Sequence, residues 1–280
     1  MRGKPVADKY RQLVTEKIQA AKENGRLVTL AVIVVGDDPA SQIYVRNKGK
    51  ACEEVGFYSE IHRLPAETTE QELLALIDEL NEKKEISGIL VQLPLPKHLD
   101  EKLIINNIVP QKDVDAFHPV NVGKIMIGEY DFLPCTPAGV MELLKHYDID
   151  ASGKNCVVIG RSNIVGKPMA SLLLERSATV TICHSRTKNL SEITSKADLI
   201  VAAVGRAKFV TADMVKEGAI VVDVGINRND DGKLCGDVDF ENVKDKCEFI
   251  TPVPGGCGPM TIAVLMKNTL LACKKQNGII

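Results

Sequence analysis

The stretch CVVIGRSNIVGKPMA, Cys156 to Ala170, constrains the fold more than any other part of the chain. An apolar run stops at Gly160, turns, and restarts after Gly166 with helix-forming residues, which is the pattern of a strand, a phosphate-binding loop and a helix. Cys156 to Ile159 has the length and β-branched bias of a strand buried on both faces, and Pro168 suits the first turn of a helix, where its missing N–H costs nothing. The start of such a helix offers unpaired N–H groups and a positive dipole end to an anion. The spacing is Gly-x5-Gly, with Ser162 in place of the middle glycine of G-x-G-x-x-G. An ordinary tight turn between strand and helix is therefore the competing reading.

The flanking sequence repeats the alternation. Residues 5 to 24 carry Val6, Tyr10, Leu13, Val14, Ile18 and Ala21 at helical spacing, closed by Gly25, and Leu27 to Val35 follows as a buried strand. A second helix is expected over 40–55, stopped by Gly56, then a strand over 57–64. A third helix over 69–83, with Leu73, Leu76, Ile77 and Leu80 on one face, leads to the strand Gly88 to Val91. A weak helix is expected around Leu103 to Ile108. At PCTPAG, Thr136 can cap a bridging helix to Tyr147 with Pro137 at its first position. After the loop come a helix over 167–176 and strands at 178–183, 199–204 and 219–224, then a final helix from Met260 to about Lys275. Repeated β-α-β units imply an α/β fold with parallel sheets covered by helices.

Composition narrows the partners. The chain has 280 residues, a formal net charge of −2 and interspersed charges, which argues against nucleic acid and a membrane surface and for a small molecule. Eight cysteines are spread singly, with no C-x-x-C pair and no zinc-like spacing to the five histidines, so no metal is expected and the thiols read as reduced. MRGKPVADKY lacks the apolar segment of a signal peptide, and cytoplasmic localisation is the expectation.

In parallel sheets, ligands sit beyond the carboxyl ends of the strands. Three candidates stand there. Lys48 shares a helix face with Tyr44 four residues before it; an ordinary surface lysine is the alternative. Gln92 ends GILVQ ahead of LPLP, where prolines fix an extended exit; a solvated glutamine is the alternative. Asp115 closes KDVD, where an Asx turn or a helix cap serves equally well. A lysine, an amide and a carboxylate on one sheet edge suit a nitrogen heterocycle. The lysine can act as acid or base when burial or positive neighbours disfavour its charge, and a carboxylate can accept the paired N–H donors of an aminopyrimidine-type ring.

The second half points to a dinucleotide. An acid usually ends the second strand of an NAD site to bind the ribose 2′-hydroxyl. Here that end reads CHSRT, with Ser185 and Arg186 placed to meet a 2′-phosphate and Arg161 as a second cation. A charge-assisted hydrogen bond contributes about 1.5–3 kcal/mol, roughly a tenfold to hundredfold preference, so NADP is the expected cofactor. Gly205 and Gly225 end later strands and permit close approach to a flat ring, with Ile226 and Asn227 near where a nicotinamide could rest. His184 reads as structural. TPVPGGCGPMT, Thr251 to Thr261, is either a rigid hinge or a loop closing over ligand, with Pro254 and Gly255 as substrate contacts under the second reading.

YVRNK, GILVQLPLP, KDVD, PCTP, GRSNIVGKP, TVTICHSRT, VDVGIN and TPVPGGCGPMT, in this order, resemble the bifunctional methylenetetrahydrofolate dehydrogenase and methenyltetrahydrofolate cyclohydrolase family over essentially the whole chain. The resemblance implies an N-terminal α/β folate domain, residues 1–134 with a returning helix at 262–280, and a Rossmann-type NADP domain, residues 135–261. It implies a homodimer acting on tetrahydrofolate derivatives, polyglutamylated forms included. Lys48 resembles the catalytic lysine, Tyr44 its stacking partner, Gln92 the residue tuning it and Asp115 the pterin anchor. Gly160, Arg161, Ser162, Ser185 and Ile226 match NADP positions. Ala116 departs from the family's glycine, and Cys257 from a commoner aliphatic residue. A shikimate-type NADP dehydrogenase would explain the loop but not QLPLP or TPVPGG, and a cofactor-binding regulatory protein is the non-catalytic alternative.

Overall fold

A computed structural model describes residues 1–23, 27–229 and 231–278. The chain divides into two compact units, one comprising Lys9–Lys124, Tyr130–Leu133 and Leu265–Ile280, the other Met1–Asp8, Ile125–Glu129 and Pro134–Val264.

The first of these units is built on a three-stranded parallel sheet. Its elements begin with α1 (Lys4–Glu23), β1 (Thr29–Val35), α2 (Pro39–Val55) and β2 (Tyr58–Leu64). They continue with α3 (Glu70–Glu82), β3 (Gly88–Val91), α4 (Glu101–Asn107) and α5 (Pro119–Ile127). The sheet order is β2-β1-β3, with Val32 paired to Ile61 on one side and Leu90 on the other. Central β1 is buried throughout, which is why its sequence TLAVIVV shows no polar alternation. Helix α3 begins with a reciprocal capping box between Thr69 and Glu72 and buries Leu73, Ile77 and Leu80 against Ala31, Ile33 and Ile89.

Several boundaries move. The strand expected from Leu27 begins at Thr29, because Leu27 is 59% exposed and stands before the ladder. Leu13, counted with the apolar face of α1, points outward at 47% exposure, while Val6, Val14 and Ile18 are buried. Gly25, expected to close that helix, lies outside the described residues. Helix α4 starts two residues before Leu103 because Asp100 accepts from the backbone N–H groups of Lys102 and Leu103.

The other unit carries α6 (Cys135–His146), β4 (Asn155–Ile159), α7 (Gly166–Glu175), β5 (Thr179–Cys183), α8 (Leu190–Thr194) and β6 (Leu199–Ala202). Then follow β7 (Ala219–Asp223), the two-residue strands β8 (Asn227–Arg228) and β9 (Leu234–Cys235), α9 (Phe240–Val243), β10 (Cys247–Ile250) and the start of α10 (Cys257–Gln276), whose residues from Leu265 onward belong to the three-stranded unit. Its five-stranded sheet is parallel with order β10-β7-β6-β4-β5. The chain runs outward from β4 to β5 and then crosses to β6 on the opposite side, so the strand order reverses beside β4. That reversal lies between β4 and β6, whose carboxyl ends are the expected ligand edge of a doubly wound sheet.

Two helix starts correct the sequence reading. Helix α6 begins at Cys135 with Pro134 in the cap position, so Pro137 is its third residue and Thr136 caps nothing. The Thr136 hydroxyl instead meets that of Thr261 at 3.0 Å. Helix α10 begins at Cys257, three residues before Met260, because Pro259 falls in a first turn that needs no N–H from it.

Candidate active site

Lys48 and Gln92 come together in the three-stranded unit. Helix α2 is started by Asp38, whose side chain accepts from the N–H of Ser41 at 2.7 Å, and stopped by Gly56 in a left-handed conformation. Between those ends the 3.6-residue period places Tyr44 and Lys48 one turn apart. Lys48 is 8% exposed, and its Nζ donates to Oε1 of Gln92 at 3.1 Å. The Gln92 amide is held at its other end, where Nε2 donates to the Leu93 carbonyl at 2.7 Å, so its oxygen is the atom left to face the lysine. A lysine has three N–H donors, and Gln92 occupies one. Burial raises the pKa of half-buried Tyr44, which keeps the phenol neutral. The surface-lysine and solvated-glutamine alternatives therefore do not describe these residues.

KDVD explains itself residue by residue. Lys112 is buried, and its Nζ donates to the carbonyls of Leu80, Asn81 and Lys83 at 2.9, 2.7 and 2.6 Å, covering the C-terminal end of α3. Burial lowers its pKa. Asp113 forms a parallel bridge with Ile89 and accepts from the His118 N–H and the Asn121 side chain, both at 2.8 Å. Burial pushes its pKa up against those hydrogen bonds. Val114 fills the space beside Gly88, where a Cβ would overlap it to within 2.5 Å. The turn-forming role open to Asp115 thus belongs to Asp113. Asp115 is half-buried, and its carboxylate makes no hydrogen bond among the described residues. The shared parallel direction carries Gln92 and Asp115 out at the same edge of β3.

The candidate cofactor residues occupy carboxyl ends in the five-stranded unit. Gly160, at φ 133°, leaves β4 so close to the next strand exit that a Cβ would overlap the Ala203 carbonyl oxygen. A Cβ on Gly166 would likewise overlap the Gly160 carbonyl, so the two glycines of Gly-x5-Gly close the loop on itself. Ser162 is exposed, and its Oγ accepts from the backbone N–H groups of Val165 and Gly166 at 3.2 and 3.3 Å. Two N–H groups read as waiting for an anion thus already have a partner. Arg161, Ser185 and Arg186 are exposed beyond β4 and β5, and Ile226 is 46% exposed beyond β7. His184 takes a structural role, its Nδ1 accepting from the Arg186 N–H at 3.2 Å. Pro254 is exposed after a cis Val253–Pro254 bond, and the Gly255 carbonyl accepts from the Gly3 N–H at 2.9 Å. Cys257 is buried, and burial raises its thiol to about 12, so it packs as a small inert apolar residue.

Tyr44, Lys48, Gln92 and Asp115 belong to one unit, and the cofactor candidates, together with Pro254 and Gly255, to the other. Two residues absent from the sequence reading stand among the cofactor set. Asp223 and Asp237 are 2% and 0% exposed, and both accept several backbone N–H groups from loops at the carboxyl edge. VDVGIN and GDVDF could have shown them as acids inside apolar runs, but nothing local marks their partners.

Comparison with known proteins covers both units. Residues 1–115 match the family model for the tetrahydrofolate dehydrogenase/cyclohydrolase catalytic domain, and residues 134–277 match that for its NAD(P)-binding domain. A bifunctional protein FolD of Bacillus cytotoxicus is 58% identical over 279 residues, covering 100% of this chain and 98% of the relative. The crystal structure of the bifunctional FolD methylenetetrahydrofolate dehydrogenase/cyclohydrolase from Campylobacter jejuni is similar with a TM-score of 0.96 at 55% identity, covering 98% of each chain. The Trypanosoma brucei methylenetetrahydrofolate dehydrogenase-cyclohydrolase, solved with NADP and an inhibitor, gives 0.94 at 39% identity, covering 98% of this chain and 97% of that one. With both domains matched in order and the likeness running the length of the molecule, the chain belongs to the tetrahydrofolate dehydrogenase/cyclohydrolase family.

Proposed function

We propose that this protein oxidises 5,10-methylenetetrahydrofolate to 5,10-methenyltetrahydrofolate with NADP and hydrolyses the product to 10-formyltetrahydrofolate. The observation that carries the reading is the Lys48–Gln92 contact, a buried ammonium with one fixed acceptor at the carboxyl edge of a parallel sheet. Hydrolysis adds water to the methenyl carbon, releases a proton and breaks the bond from that carbon to one ring nitrogen. Lys48 is the group to move that proton, and general acid–base help of this kind gives about 10²–10⁴-fold. Gln92 orients Lys48, Asp115 accepts N–H donors from the pterin, and Tyr44 packs beside the folate. Pro254 and Gly255 complete the substrate contacts.

The residues fit NADP. Gly160 and Gly166 form a cradle that a side chain would fill, and Arg161, Ser185 and Arg186 offer two cations and a hydroxyl beyond β4 and β5. When bound, NADP supplies the hydride acceptor. Arg161, Ser162, Ser185 and Arg186 would hold its phosphates, and Ile226 would stand beside the nicotinamide. Residues 135–261 are the NADP domain, and residues 1–134 with 262–280 the folate domain. A homodimer and polyglutamylated substrates follow from the family resemblance, and the cytoplasm is supported by eight free cysteines. The net charge of −2 gives no support for nucleic-acid or membrane partners.

Purified protein given methylenetetrahydrofolate and either NADP or NAD tests the reading. The expected result is reduction of NADP in preference to NAD, with 10-formyltetrahydrofolate as the released product. Release of methenyltetrahydrofolate alone would refute the second activity.

A further inference from the structure

We propose that Asp237 is a positioning residue for the cofactor, its buried carboxylate fixing the exits of β6 and β7 as one wall of the dinucleotide crevice. The inference rests on the NADP reading above and deepens it.

Four donors converge on this side chain. Oδ2 accepts from the backbone N–H groups of Val204 and Gly205 at 2.6 and 3.0 Å. Oδ1 accepts from the Arg206 N–H at 2.9 Å and from Nδ2 of Asn227 at 2.8 Å. A carboxylate offers about four acceptor sites, so all are used. Three consecutive backbone N–H groups form a concave nest of the kind that binds anions. Here the protein's own carboxylate fills it, and among the described residues no cation pairs with Asp237.

The place of these donors gives the carboxylate its role. Val204, Gly205 and Arg206 follow β6 directly, and the preceding Ala203 carbonyl lies against Gly160 at the reversal of strand order. Asn227 follows Ile226 beyond β7. Gly225, between them, has room for no side chain, because its Cβ would overlap the Asp237 carboxylate. One side chain therefore ties together two loops that border the crevice.

Asp223 sets Asp237 in place from behind. Its Oδ1 accepts from the N–H groups of Gly225 and Asp237 at 2.9 and 3.0 Å, and its Oδ2 from Val238 at 2.9 Å. Burying carboxylates is unfavourable unless they are fully hydrogen-bonded. Residues 204–206 beyond β6 belong to no strand, and beyond β7 pairing resumes only at Asn227, opposite Cys235, with Gly205 and Gly225 in the two intervals. Ordering these residues before binding removes the loss of their backbone entropy from the affinity for the cofactor.

The test is Asp237→Asn, measured for both reactions. The amide keeps one acceptor oxygen and turns an N–H₂ toward N–H donors, which loosens the loops without changing side-chain volume. The expected result is a KM and Kd for NADP at least tenfold higher, dehydrogenase kcat at saturating NADP within about threefold of wild type, and methenyl hydrolysis within about twofold. An unchanged KM for NADP overturns the proposal, as does a parallel fall of both activities in a variant whose circular dichroism matches wild type. Asn227→Leu removes one donor of four and decides the matter if the first variant does not fold. It should raise the KM for NADP about threefold, and no change overturns the proposal. If wild-type protein uses NAD instead, the NADP reading fails, and the same variants measured with NAD still decide the role of Asp237.

Discussion

At Ala116 the backbone has φ 56°, a left-handed conformation, and the side chain is fully buried. A non-glycine residue there costs about 1–2 kcal/mol. Ala116→Gly relieves that strain but loses a buried methyl worth about 0.8 kcal/mol and adds about 0.4–1 kcal/mol of unfolded-chain entropy. The three effects nearly cancel, so thermal or denaturant unfolding should place Ala116→Gly close to wild type. Ala116→Val, β-branched at positive φ in a closed site, should be destabilised by about 2 kcal/mol or more. At this scale the positions of Lys48, Gln92 and Tyr44 were legible in the sequence, because strand-end and i,i+4 positions follow from local periodicity. It left Asp113 and Asp115 indistinguishable as turn formers, since their difference lies in Asn121 and the His118 N–H, which the fold brings to one of them. Asp223 and Asp237 were hidden for the same reason.

Between elements, single side chains close gaps that periodicity cannot show. Lys112 covers three carbonyls at the end of α3. Lys112→Met would leave those acceptors without their cation, and hydrogen bonds to charged groups contribute about 1.5–3 kcal/mol each. Unfolding should show a loss of about 2–3 kcal/mol after partial rehydration, with a raised KM for folate as the Asp115 turn loosens. In the cofactor loop, Gly166→Ala would press a methyl onto backbone atoms of Gly160 and Arg161, which no rotamer change relieves. Calorimetric titration should show NADP affinity lowered at least tenfold while methenyl hydrolysis persists; unchanged affinity would show that the loop opens freely. The order of helices and strands was readable from the β-α-β alternation. The starts of α6 and α10 were not, because proline and glycine near a helix start read as loop until the chain is seen to pass through them as a first turn.

At the scale of the whole molecule, carboxylates shifted in opposite directions give stability opposite pH dependences, as Asp223 and Asp131 illustrate. Burial raises Asp223 from 3.8 to about 6, so the folded protein holds the extra proton, and this contribution to stability is full below about 3.8 and lost as pH rises through about 6. Asp131 is lowered, first by Lys275 and then by Lys124, so its contribution is present above 3.8 and lost as pH falls. The thermal midpoint of Asp223→Asn relative to wild type should therefore improve between pH 4 and pH 7; a constant difference would show that Asp223 does not titrate there. One buried lysine divides the two reactions in the proposed function, and the decisive measurement is Lys48→Met assayed for both activities and for NADP binding on one preparation. Methenyl hydrolysis should fall by about 10²–10⁴-fold while NADP affinity stays within twofold of wild type. Hydrolysis at the wild-type rate in that variant would contradict that division.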